Sequence, residues 1–207
     1  MTSLEIFDVN SNQLEGELPN PISQLKNLQH FQVYTNKFSG SIPNDFGQDT
    51  FLAYVSFSNN SFSGKLPPEI CSGLSILQFT VNGNNLTGPL PACFRNCLKL
   101  VRVRLDGNRF RGDISQAFGV HPDLVCIDLS RNQFSGEISP QWGNCTKLTK
   151  LNMAENRISG KIPLRNREAG PVGRSKIIFQ QFDRNHSTRI GGFGDAVQAQ
   201  FEQQPVI

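Results

Sequence analysis

No stretch of about 18 apolar residues occurs in the 207-residue chain, so no membrane-spanning helix is expected. The start, MTSLEIFDVNSNQL, has neither a basic n-region nor an apolar h-region, and no signal peptide is read there. Charge of one sign is scarce: 20 Lys+Arg against 17 Asp+Glu leave a net +3, too mild for a nucleic-acid binder held by a basic patch. Five cysteines are an odd number, and too few for a disulfide scaffold of this size. Cys93-x-x-x-Cys97 has no second pair and no nearby His, so neither a metal site nor any cofactor is expected. Three histidines are present (His30, His121, His186), and neither G-x-S-x-G nor H-E-x-x-H occurs. Gly191-Gly192-Phe193-Gly194 is too short for a phosphate loop and no Lys follows it. With no catalytic constellation, the chain reads as a non-enzyme. Hydrophobic residues still make up 37%, enough for a core, so disorder along the whole length is excluded.

What the sequence does have is a repeat. Asn recurs at Asn12, Asn36, Asn60, Asn84, Asn108, Asn132 and Asn156, in steps of 24 with no slip. With 19 Asn in 207 residues, chance gives six further matches roughly once in a million, and this period lies in the solenoid range. Apolar residues keep the same step. Five before each Asn stand Phe7, Phe31, Val55, Phe79, Val103, Ile127 and Leu151; three before stand Val9, Val33, Phe57, Val81, Leu105, Leu129 and Met153. Gly follows four after every Asn, from Gly16 to Gly160, and Pro seven after in five repeats, with Ser115 and Ser139 in the other two.

Each column has a physical meaning. Apolar residues at −5 and −3, separated by polar ones, have the period of a short strand with one buried face. A 24-residue unit cannot bury that face alone, but stacked copies share a core and align their strands into a parallel sheet of about seven. The Asn amide can donate to and accept from buried backbone groups of neighbouring coils. Gly at +4 suits a backbone needing φ > 0 or close approach, and Pro at +7 ends the strand-like piece before it. The +10 column (Ile22, Phe46, Ile70, Phe94, Phe118, Trp142) fills the core from the convex side.

The recurring string x-x-L-x-L-x-x-N-x-L/F-x-G-x-I/L-P, as in FSGSIPNDFG (38–47), LTGPLPACF (86–94) and IDLSRNQFSGEIS (127–139), resembles the plant-specific class of leucine-rich repeat over residues 1–163. The block RVRLDGNRFRGDISQAFGVHPDLVCIDLSRNQFSGEISPQWGNCTKL (102–148) resembles the ectodomains of plant leucine-rich-repeat receptor-like kinases, nearest the MDIS1-interacting receptor-like kinase group. The resemblance implies a right-handed α/β-type solenoid of seven repeats, with a parallel sheet on the concave face and 3₁₀, short β or loop segments on the convex face. It also implies a peptide or protein ligand, a co-receptor ectodomain as partner, and a plasma-membrane or extracellular setting. Such a parent carries a capping domain with a Cys pair, a membrane helix and a Ser/Thr kinase. None is read here, so the chain is expected to be a fragment or truncated gene product, and its own location stays open. The alternatives are a secreted leucine-rich-repeat inhibitor of cell-wall enzymes and a non-functional product of a truncated receptor gene. The first coil (Leu4, Phe7, Val9, Leu14) is expected to be an aggregation liability.

The pattern stops after Pro163: Gln180 holds the next Asn position. Residues 164–207 form a non-repeat tail, expected to be mostly disordered, with IIFQQF (177–182) a candidate strand and DAVQAQFEQ (195–203) a candidate helical turn.

The concave face is the expected binding surface. Its outward columns hold two sets of anchors. His30, Tyr34 and Tyr54 form an aromatic group on adjacent strands. Arg102 and Arg104, beside Asp106 and Asp128, read two ways: as a pair of guanidinium forks for the free carboxylate of a peptide, as in some peptide-sensing receptor-like kinases that this pair resembles, or as a surface ion network. Sequons place glycans at Asn59, Asn85 and Asn144, with a fourth, Asn185, in the tail. Cys97 and Cys145 share the apolar +13 slot and read as buried thiols, Cys126 points outward, and Cys71 and Cys93 stand on neighbouring coils.

Overall fold

The computed structural model describes residues 3–161 and 176–177. Seven coils follow one another, each opening with a three-residue strand: Ile6–Asp8, His30–Gln32, Tyr54–Ser56, Gln78–Thr80, Arg102–Arg104, Cys126–Asp128 and Lys150–Asn152. The strands pair in parallel and in sequence order, each residue opposite its equivalent one repeat on, so that Phe31 faces Val55 and Val55 faces Phe79. An eighth, two-residue strand, Lys176–Ile177, pairs with Lys150–Leu151 at the far edge. It touches the strand expected over 177–182 only at Ile177. The rest of that segment, the candidate turn at 195–203, the expected disorder of the tail and Asn185 lie outside the described residues.

After each ladder Asn the chain makes a second short strand. Ser63–Gly64, Asn85–Gly88, Arg109–Asp113, Gln133–Glu137 and Arg157–Ser159 form one parallel sheet, and Glu15–Glu17 pairs with Lys37–Ser39 in another. The +4 glycines in or just past these strands all have positive φ, from +73° at Gly40 to +114° at Gly112, a region that costs a side chain about 1–2 kcal/mol. Short helical turns then close the convex side: 3₁₀ turns at Asn20–Gln24, Ala92–Asn96 and Pro140–Asn144, and an α-turn at Ile114–Ala117. The two coils that lack Pro at +7 cap these turns with side chains. Asp113 accepts the Ser115 N–H at 2.8 Å, and Ser139 Oγ accepts that of Gln141 at 3.3 Å.

The core lies between the sheets. Phe31, Phe57, Phe79, Phe94, Phe110 and Phe118 are all essentially inaccessible. Equivalent rings stack from coil to coil: Phe7 on Phe31 at 5.3 Å, Phe38 on Phe62 and Phe110 on Phe134 at 6.1 Å. Between them rings meet edge to face, as Phe57 does with Phe62 at 5.4 Å. The first coil is barer, with Ile6 57% and Leu14 43% exposed.

The recurring asparagines hold the coils together. Nδ2 of each Asn from Asn36 to Asn156 donates to the −3 carbonyl of its own coil and, at 2.9–3.0 Å, to the equivalent carbonyl one coil earlier. Its Oδ1 accepts an N–H two residues past the preceding Asn, as from Phe62 to Asn84 at 2.9 Å. The residue before each Asn is left-handed in every coil: Ser11, Thr35, Asn59, Gly83, Gly107, Arg131 and Glu155 have φ between +53° and +66°. That turn carries the chain off the sheet and swings the amide inward.

Candidate functional site

The −6, −4 and −2 side chains stand on the face of the strand sheet opposite the core, because successive side chains on a strand alternate. Three zones run along this face. Near the start, the rings of His30 and Tyr54, paired across adjacent strands, lie 4.6 Å apart at 43°. Tyr34 makes no ring contact with them among the described residues, so the expected group of three resolves into a pair and a separate ring. The reason is spacing: four residues along an extended chain cover about 13 Å.

The middle is small, polar and already satisfied. Thr80 Oγ1 donates to Ser56 Oγ at 2.8 Å, and Ser58 Oγ to Asn82 Oδ1 at 2.7 Å, each across one coil. Ser56, Ser58 and Asn82 are buried. These contacts fix the hydroxyl and amide directions before any ligand arrives.

The last zone is charged. Arg104 directs its fork at Asp106, with Nε at 3.0 Å and Nη2 at 2.9 Å, a bidentate pair within one strand end. Burial works against the Arg104 charge, but the bonds and charge of Asp106 outweigh it and hold the guanidinium pKa above its ordinary value. Arg102, two residues earlier on the same face, is exposed and has no ion pair among the described residues. Asp128 is buried. It accepts from the Ser130 N–H and hydroxyl at 3.1 and 2.7 Å and from Asn152 Nδ2 at 3.0 Å, with Lys150 Nζ 3.7 Å away. Of the two readings of the arginines, the ion network describes Arg104, while Arg102 keeps its fork available. The roles of Asn152 and Lys150 were not read from sequence; the −4 and −6 columns that contain them were the available signal.

Asn59, Asn85 and Asn144 are all exposed, Asn59 at the left-handed turn beside the sheet edge. Cys97 and Cys145 are buried, and between them in the same +13 slot lies His121, 1% exposed. Its Nδ1 is 3.1 Å from the Cys97 carbonyl, so this nitrogen carries the proton, and Nε2 has no partner among the described residues. Burial pushes the His121 pKa down, against a smaller upward pull from that carbonyl. Cys126 is half-buried, and burial pushes its thiol up. Among the described residues, no helix could cross a membrane and no His, Cys, Asp and Glu group could hold a metal.

Comparison with known proteins returns the same architecture. The Leucine Rich Repeat family model matches residues 3–25, 51–72, 123–145 and 147–165. The Arabidopsis receptor kinase HAESA, solved with the peptide hormone IDA and the co-receptor SERK1, superposes with a TM-score of 0.74 at 33% identity, over 77% of this chain and 27% of that one. The plant peptide hormone receptor RGFR1 in complex with RGF2 gives 0.70 at 34% identity over 77% and 26%. The PEPR1–AtPEP1 structure gives 0.72 at 30% over 82% and 24%. The chain thus spans about a quarter of the length of the proteins it resembles. No curated protein sequence matches it.

Proposed function

We propose that this leucine-rich-repeat solenoid is a recognition module of a plant receptor-like kinase ectodomain, binding an extended peptide or protein segment along its concave face in cell-surface signalling. The carrying observation is the face itself: a parallel sheet that no element covers among the described residues, which such sheets seldom leave bare, and whose small polar centre is pre-ordered between an aromatic pair and an available arginine. The likeness to ectodomains solved with peptide hormones and a co-receptor supports the same reading. His30 and Tyr54 offer rigid apolar area at low entropic cost. Arg102 is the group suited to a peptide carboxylate, with Arg104 joining it only by releasing Asp106.

The experiment uses a random library of twelve-residue peptides with free C-termini, selected on the full chain. Peptides so captured should bind Tyr54→Ala and Arg102→Ala at least about tenfold more weakly, and Lys65→Ala, off the concave sheet, unchanged. Amidating the peptide C-terminus should reproduce the Arg102 loss. Undiminished binding by both concave variants would refute the assignment of this face.

A further inference from the structure

Three of the five cysteines meet at one place on the convex side. Cys71, 1% exposed, lies with its thiol close enough to those of Cys93 and Cys97 to interact with both. Cys97 is fully buried and also donates to the Ile76 carbonyl at 3.8 Å, while Cys93 is part-exposed and donates to the Pro68 carbonyl at 3.4 Å. The repeat explains why Cys71 and Cys93 face each other. They hold slots +11 and +9 of successive coils, and in the first two coils the same slots hold Ser23 and Asp45, whose side chains touch at 2.8 Å. All five thiols are free.

We propose that Cys71 and Cys93 form a redox pair: a small disulfide such as glutathione disulfide enters at Cys93 and leaves a Cys71–Cys93 bond joining the third and fourth coils. The Cys93 thiolate attacks one sulfur of glutathione disulfide, forming a mixed disulfide and expelling one glutathione thiolate. That thiolate is protonated from solvent, and Cys71 gives up its proton to solvent. The Cys71 thiolate then attacks Cys93 Sγ, and the second glutathione leaves and is protonated from solvent. Two protein thiols lose two electrons and two protons, and one glutathione disulfide becomes two glutathiones. Exposure selects Cys93 as the point of entry, since Cys71 and Cys97 are out of reach of an external sulfur. Interaction with the Cys71 thiol also holds the Cys93 pKa below the ordinary thiol value, while Cys71 is pushed well above it by its contacts with Cys93 and Cys97 and by burial. Cys97 is the internal competitor for Cys71.

The full chain, reduced and then held in excess glutathione disulfide, supplies the test. Its intact mass should fall by about 2 Da, the peptide map should show Cys71 joined to Cys93, and the Tm should rise by about 5 °C or more. Cys97→Ser should form the same link, and Cys93→Ser should oxidise at least about tenfold more slowly. A Cys71–Cys97 link as main product, oxidation of Cys93→Ser at the rate of the unaltered chain, or all thiols remaining free would each overturn the proposal.

Discussion

The carbonyl of Val81 accepts two side-chain hydrogen bonds, from Asn84 of its own coil at 3.0 Å and from Asn108 of the next at 2.9 Å. Each inner carbonyl is thus shared between neighbouring asparagines, and the ladder is continuous. Asn108→Ala leaves the Leu86 N–H, which bonded to its Oδ1 at 3.0 Å, with no partner, and strips one donor each from Val81 and Leu105. It should cost about 2–4 kcal/mol in urea unfolding. Asn12→Ala removes only exposed bonds to Val9 and Asn10, and should cost about 1 kcal/mol or less.

Thr35 is β-branched yet sits at φ +55°. Thr35→Gly should therefore stabilise the chain, by about 0.5–1 kcal/mol after the entropic cost of glycine. A lowered urea midpoint would show that contacts of the Thr35 side chain outweigh the strain.

Gly16 and Gly136 share a slot and nearly the same φ, +88° and +87°, but differ in surroundings. A Cβ at Gly16 meets nothing, whereas at Gly136 it falls on the Asp113 carboxylate that caps the Ile114–Ala117 turn. Gly16→Ala should cost about 1 kcal/mol and Gly136→Ala about 2–3 kcal/mol. Thermal unfolding of the two variants measures the difference.

His121 ties stability to pH. Its folded pKa lies below the ordinary 6.5, so below that pH the unfolded chain takes up a proton that the folded chain refuses. The stabilising contribution is present above about pH 6.5 and is lost as pH falls through the lower folded value. Urea midpoints should decline over that range, and His121→Phe should flatten the decline. An unchanged slope in the variant would assign the effect to other groups.

Much of this fold was legible because a 24-residue step leaves little freedom. Once Phe31, Val55 and Phe79 occupy one column, strand position, register and buried face follow together. What sequence did not carry were choices among equally placed polar groups. Arg104 could reach toward Asp106 or Asp128, and only geometry selects Asp106. The left-handed turn before each Asn was also hidden. Ser, Thr, Asn, Gly, Arg and Glu share no propensity for it, because strand pairing and ladder impose it from outside. The contact of Cys71 with Cys97 was missed for a similar reason, since it depends on how far one convex turn leans over the next.

In a complex of the proposed kind, the outward face of the strand sheet would also act as a ruler. Parallel strands step about 4.8 Å, whereas an extended chain laid across them advances about 3.3 Å per residue. Two coils therefore match about three guest residues, and the seven three-residue strands together measure a segment of about nine. For such a guest, coil number would set length, and the mismatch in pitch would let only every third guest side chain meet the same column of the host.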